Sequence, residues 1–515
     1  MSNLILHNAN VITLDSTLPE AQRVAIQDGK IIAVSGNESL HELRQRNTTF
    51  IDCKGKTVLP GFIDTHFHLH GFAESLTTLN LSPRDHVRSI SDIQARVRHE
   101  AQELPPGSWI RGRGYNEFYL AEKRHPNRGD LDAVTSIHPI KLTHRSSLAH
   151  VLNSLALRIA NISRETPDPP EGLIDRDHQT GEPTGLLYGM SDYLAKTLPP
   201  VGMDQREREM RLAAHELNSL GITSIQDASS RNNLSRWKRF ARWKEQGILK
   251  TRMNVALGIE GFREHLIKPF ESEMEEDQFS VKGVKIIVHE TTGRLAPSQE
   301  ELNELVLEIH RSGMQAILHA IEETTIEAAC TAIEHALRKL PRPDPRHRIE
   351  HCSVCTPSLA RRLASLGIRV VTQPSFIYYN GDRYLRTVPN HQLNHLYPIA
   401  TLRKNGVEVV GSSDCPIVPA NPLIGIYSTV SRRTEQGELI LPGEGASPLE
   451  AIRMYTEKAA TLNFEEGIKG SIASGKLADL VVLSGDPTRL PPDEIKEIEV
   501  EMTLLNGEVV WNKMA

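Results

Sequence analysis

The chain has 515 residues, of which 39% are apolar and 24% charged, and a formal net charge of −6. That length predicts two or three domains, and the small net charge without a long basic run argues against binding to nucleic acid or a membrane surface. No apolar run is long enough to span a bilayer, the N-terminus reads as neither a signal peptide nor an anchor, and five unevenly spread cysteines fit a reducing cytoplasm, so a cytoplasmic protein is expected.

In chain order, "LILHNANVITLD", "AQRVAIQDGKIIAVS" and "TFIDCKGKTVLP" read as short strands with Asp-Gly and Lys-Gly turns. The next stretch, "GFIDTHFHLH" (61–70), carries three histidines on alternate residues. As a strand it puts Asp64, His66, His68 and His70 on one face and Ile63, Thr65 and Phe67 on the other. Two imidazoles at i and i+2 can converge on one metal ion. Residues 71–221 are too long for a single strand–helix unit and hold the turns "LPPGSW", "TPDPPEG" and "TGEPTG", so most of this stretch is expected to be an inserted subdomain.

From residue 222 the sequence alternates short β-branched or apolar runs with charged amphipathic stretches, at a spacing of roughly thirty residues, the length of a βα unit. The runs are 222–228, 252–259, 284–290, 315–320, 347–352, 369–374 and 407–414, and 61–68 makes eight. Gly221, Gly247, Gly313, Gly367 and Gly406 stand between a helical pattern and the next strand, where a left-handed cap is needed. Capping boxes are read at Ser298 with Glu301, Thr324 with Glu327, and Ser447 with Glu450, the last with Pro448 at the first helical position; Thr356 with Pro357 is a similar start. The pair Cys352 and Cys355 lacks a second pair and a redox context, and reads as packing. Strand patterns return in "ADLVVLSGD" and "EVEMTLLNGEVVWNK".

The fold expected is α/β, a (β/α)8 TIM barrel with a large insert after its first strand, with an open doubly wound sheet as the alternative. The N- and C-terminal segments are expected to form a small β-sandwich. The boundaries are 1–59 with 466–515 for the sandwich, 60–80 with 206–465 for the barrel, and 81–205 for the insert.

Chemistry in such barrels gathers at the C-terminal strand ends. Those ends carry His66 and His68 on the first strand, Lys285 on the fourth, His319 on the fifth, His351 on the sixth and Asp414 on the eighth. Alternation also places His289 on the face of Lys285. Each residue alone has an ordinary structural reading, but six metal-competent groups at five strand ends are costly to bury unless they are paired or bind an ion.

These motifs resemble the amidohydrolase superfamily, and within it amidohydrolase family 3, the YtcJ-like branch. "LPGFIDTHFH", "VKII", "ILHAI", "RHRIEHC" and "GSSDCPI" are similar to its metal-bearing strands, and "GSIASGKLADLVVL" to its returning β-sandwich segment. "HVLNSLAL", with His150 and Asn153, resembles a stretch of the family's insert near the substrate. The resemblance implies that His66 and His68 bind one metal, His319 and His351 a second, and Lys285, carboxylated by CO2, bridges them. It gives Asp414 contact with the first metal and the role of proton shuttle. The donor mixture suits Zn2+, with Mn2+, Co2+ or Fe2+ as alternatives.

The chain departs from the family in reading His289-Glu290 after the lysine strand, where Asp-Gly is common, and Glu322-Glu323 where Gly-Asp is frequent. The function so implied is hydrolysis of a C–N bond in a small amide, N-acyl, N-formyl or cyclic amide substrate by a metal-activated hydroxide. A one-metal deaminase of the superfamily and a non-catalytic scaffold are the competing readings. Trp109, Tyr115, His150, His289, Glu290 and Arg294 are the candidates for contact with substrate, and a homodimer is the expected assembly.

Overall fold

The structure, a computed structural model, describes residues 4–36, 47–169, 172–291 and 293–514. By internal contacts the chain divides into two compact units, Met1–Leu69 with Ala213–Ala515, and His70–Leu212.

The first unit is built on eight parallel strands: β1 (Phe62–Phe67), β2 (Ile222–Asp227), β3 (Arg252–Leu257), β4 (Phe279–Ile287), β5 (Gln315–Ala320), β6 (Arg348–His351), β7 (Arg369–Thr372) and β8 (Val409–Gly411). They pair in chain order from β1 to β8, as expected of a TIM-barrel-like α/β fold. The ring nearly closes between β1 and β8. There Asp414 N donates to His66 O at 2.9 Å, His68 N donates to Cys415 O at 2.9 Å, and the Asp64 carboxylate accepts from Ser413 N at 3.2 Å. The helices following the strands cover apolar faces, among them Leu302, Val306 and Ile309 of helix Gln299–Arg311 and Ile326, Ala329 and Ile333 of helix Glu323–Lys339.

All five glycines read as caps take positive φ, between 63° and 89°. Ser298 and Glu301 form the reciprocal box, and Ser447 accepts from Glu450 N ahead of Pro448. Thr324 does not cap: the helix begins two residues earlier, with Glu322 as its cap and Thr325 as the reciprocal partner. Strand β4 starts at Phe279 and stops at Ile287, and His289–Thr291 pairs with Arg294–Ala296 as a separate hairpin. Lys285 and His289 therefore do not share a strand. His70 likewise leaves the face of His66, because the chain turns into helix Leu69–Ser75.

The terminal segments supply two further sheets to this unit. One runs Glu508–Asn512, Val500–Leu505, Leu480–Leu483, Thr57–Pro60, Asn10–Ile12 and Glu20–Ala21; the other runs Lys30–Ser35, Arg23–Gln27, Leu4–His7 and Thr49–Asp52. Both feed one buried cluster that includes Leu6, Val24, Ile26, Val58, Leu480, Val482 and Leu504. The tight turns at Asp28-Gly29 and Asn506-Gly507 hold both residues at positive φ, as two-residue hairpin turns require.

The second unit has its own six-stranded sheet, ordered Leu173–Arg176, Pro183–Tyr188, Ala149–Leu152, Ile140–His144, Ile110–Tyr115 and Leu79–Asn80. Helix Ile90–Glu103, capped by Ser89, adds Ile90, Ile93 and Val97 to a core with Ile110, Ile140 and Leu142. Among the described residues, no helix is long and apolar enough to cross a membrane.

Candidate metal centre

Strand β1 delivers His66 into the barrel, 1% exposed, and His68 follows just past the strand end. On β6 the alternation would aim Arg348 and Glu350 inward and His351 outward. His351 instead takes φ 71°, a left-handed conformation rare for a residue with a Cβ, and the imidazole turns back toward the others. Its ring centroid lies 5.0 Å from that of His66 and 4.4 Å from that of His319. Asp414, past the end of β8, also takes a left-handed φ of 59°. Strain of this kind persists where the surroundings fix it, and it clusters at functional sites.

The donor atoms face one another. Asp414 Oδ1 stands 3.0 Å from His68 Nε2 and 3.5 Å from His66 Nε2, and Lys285 Nζ stands 3.5 Å from His66 Nε2. One donor atom each from His66, His351 and Asp414 lies within 4.8 Å of the others. Donors at about 2.1 Å from a tetrahedral ion stand about 3.4 Å apart, close to the spacings around Asp414.

Behind each of three imidazoles, Nδ1 has a protein partner. His66 Nδ1 meets Glu350 Oε2, His351 Nδ1 meets Gln373 Oε1 at 2.7 Å, and His68 Nδ1 meets Ser229 Oγ at 2.9 Å. Burial pushes the His66 and His319 imidazoles well below their ordinary range and lowers His351 as well, so these rings are neutral near pH 7 and keep a lone pair. Burial alone would raise the Asp414 carboxyl, but its surroundings, with His68 Nε2 3.0 Å away, bring it down to about 2. Burial brings the Lys285 ammonium down to about 8. His66 and His351, neutral imidazoles beside a carboxylate and each backed by a partner on Nδ1, fit a divalent cation.

The sequence model of the amidohydrolase family matches residues 49–511. The chain belongs to the amidohydrolase family. It is a hydrolase of carbon–nitrogen bonds and, within that class, metal-dependent. The chain is 30% identical to YtcJ of Bacillus subtilis, over 99% of each chain. It is 28% identical to the N-substituted formamide deformylase of Arthrobacter pascens, over 100% of this chain and 99% of that one. Its fold is similar to that of an uncharacterized metal-dependent hydrolase from Pyrococcus furiosus, with TM-score 0.75 and 23% identity over 95% of this chain and 100% of that one.

In this amidohydrolase the remaining candidates fall in two places. His289, Glu290 and Arg294 lie on the hairpin after β4, with Glu290 and Arg294 exposed. Trp109, Tyr115 and His150 lie in the second unit. Tyr115 is buried with its hydroxyl 3.0 Å from His125 Nδ1, His150 Nε2 meets Ser191 Oγ at 2.7 Å, and the Arg111 guanidinium sits 5.6 Å from the Trp109 ring. Glu322 caps its helix, and Glu323 is exposed at the first helical position.

Sequence reasoning passed over Glu350, Arg348, Gln373 and Ser229. The signal for two of them was present: Arg348 and Glu350 are charged at i and i+2 of a buried strand, so both must enter the barrel together.

Proposed function

We propose that this amidohydrolase holds a divalent metal centre, Zn2+ by preference, with His66, His68, Lys285, His319, His351 and Asp414, and hydrolyses a small N-formyl, N-acyl or cyclic amide. The carrying observation is the convergence of His66, His68 and His351 on the Asp414 carboxylate, with His66 and His351 bearing partnered Nδ1 atoms and left-over Nε2 donors. When bound, the metal supplies a water that is nucleophilic at neutral pH and polarises the scissile carbonyl.

The chain's own residues do the rest. Asp414, ionised and beside His66 and His68, accepts a proton from the attacking water and returns it to the departing amine nitrogen as the C–N bond breaks. Lys285, buried and facing His66 Nε2, becomes an anionic donor if its amine attacks CO2: a C–N bond forms and a proton leaves. Similarity to an N-substituted formamide deformylase along the whole chain supports the formamide and N-acyl class.

A one-metal reading has its own support, because the one three-donor cluster among the described residues, His66, His351 and Asp414, spans both of the metal sets implied by the resemblance. Metal content per chain, on protein purified without chelators and with bicarbonate present, separates the readings. About two equivalents fit the lysine-bridged pair. One equivalent demotes Lys285 to a charge beside a mononuclear site. None after reconstitution with Zn2+, Mn2+ or Co2+ overturns the metal centre.

A further inference from the structure

The three imidazoles that face Asp414 or His66 have chemically different groups behind them. His66 is backed by a carboxylate, His351 by an amide oxygen and His68 by a hydroxyl. The carboxylate is itself held. Arg348 Nε forms an ion pair with Glu350 Oε1 at 2.7 Å, while its two terminal nitrogens donate to Gln226 Oε1 at 2.7 Å and to Thr65 O at 2.9 Å. Arg348 and Glu350 are both fully buried, on the same face of β6, and they contact β1 and β2 across the barrel interior.

We infer that Glu350, anchored by Arg348, is a positioning residue that fixes His66 with a proton on Nδ1 and Nε2 bare, and so sets how tightly this chain holds its metal. The inference rests on the metal-centre reading above. A carboxylate paired with a buried guanidinium only accepts, so its contact with His66 Nδ1 requires the hydrogen to sit there. The lone pair is then left on Nε2, the atom that faces Asp414 and Lys285. An anion behind an imidazole also raises the basicity of the far nitrogen.

Arg348 adds a second constraint. By gripping Thr65 O it holds the β1 backbone one residue before His66, so ring and main chain are set by one guanidinium–carboxylate pair.

The partner of His351 is weaker and still fixed in sense. Gln373 Nε2 donates to Ser412 Oγ at 3.0 Å, which turns its oxygen toward His351 Nδ1. Ser229 can donate or accept, so it leaves the His68 tautomer open. The order of influence on metal affinity is therefore Glu350, then Gln373, then Ser229.

The test is Co2+ affinity by chelator competition, with the visible spectrum of the bound ion as a second readout, on purified full-length protein. Glu350→Gln is expected to weaken Co2+ binding about 10–100-fold, as loss of an outer-shell partner does, and to shift the spectrum. Gln373→Leu is expected to weaken it less, and Ser229→Ala least. If Glu350→Gln fails to fold with Arg348 left unpaired, the double variant Arg348→Met with Glu350→Gln removes both charges and carries the same expectation.

Ser280→Ala serves as a control, because Ser280 is buried at the opposite end of β4, where its hydroxyl donates to Asn254 Oδ1 at 2.7 Å. Unchanged Co2+ affinity in Glu350→Gln overturns the positioning role while leaving the metal centre standing. An equal loss in Ser280→Ala also overturns it, since the effect would be general loosening. Failure of the wild-type protein to bind Co2+ overturns the metal-centre reading itself.

Discussion

The two ends of the same barrel both bury charge, and they treat it in opposite ways. At the N-terminal ends of the strands the buried Lys469 and Arg252 meet opposite charges. Lys469 pairs with Glu465 at 2.8 Å and bonds Ser224 Oγ at 2.8 Å, Asn254 bonds Glu465 at 3.1 Å, and Arg252 lies 2.6 Å from Asp479 and 2.8 Å from Asp277. At the C-terminal ends the partnered atoms are at the back, and Nε2 of His66 and His68 with the Asp414 carboxylate turn toward one another. The lower network is closed on itself and serves the fold. The upper one is held from behind and left with donors in front, which is how a barrel separates stability from chemistry.

The sharpest way to break this comparison is to change one atom of the upper cluster. Asp414→Asn is expected to lower kcat about 10^2–10^4-fold on any amide that the enzyme turns over, as loss of a proton-transfer group does, while thermal unfolding stays close to that of wild type. A comparable loss of stability with kcat retained would place Asp414 with the structural charges instead.

The converse change is at the lower end. Arg252→Met leaves Asp479 without its buried partner and is expected to cost about 3–5 kcal/mol in denaturant unfolding, with Co2+ stoichiometry unchanged. Loss of the metal in that variant would show that the two ends are not independent.

A smaller effect comes from a buried histidine pair near the start of β6. His310 Nε2 donates to Leu340 O at 2.8 Å, His347 Nε2 donates to His310 Nδ1 at 2.8 Å, and His347 Nδ1 accepts from Ala316 N at 2.9 Å, so both rings are neutral in the fold. Burial, then the neighbouring His310, brings His347 from 6.5 down to about 3. The unfolded chain binds this proton more readily, so its contribution to stability is complete above about pH 6.5 and is lost as pH falls from there toward 3. Lowering pH from 7 to 5 should remove about 2 kcal/mol through this residue, read as a fall in the urea midpoint, and His347→Gln should flatten that slope.

Much of this arrangement was legible in the sequence. Short β-branched or apolar runs located all eight barrel strands, and the five glycine caps all fell in the left-handed region, because both signals are local. The errors share a cause as well. Thr324 looked like a cap because threonine and glutamate are correctly spaced there, but Glu322 with Thr325 satisfies the same backbone groups two residues sooner.

His289 looked inward-facing because alternation was carried past Ile287, where the strand has ended and a hairpin has begun. The positive φ of His351 and Asp414 had no local signal, since packing around the site imposes it. Glu350 was passed over because attention to donors at strand ends misses the groups that orient them.

The seam between β1 and β8 has a consequence for how the chain is made. Asp64 and Ser413, which meet across it, are 349 positions apart, and the donors from His66 to Asp414 lie nearly as far apart. During synthesis the first two histidines leave the ribosome long before the aspartate exists. The upper cluster is therefore a property of the finished chain, and a fragment ending ahead of residue 414 carries its histidines without the group they face.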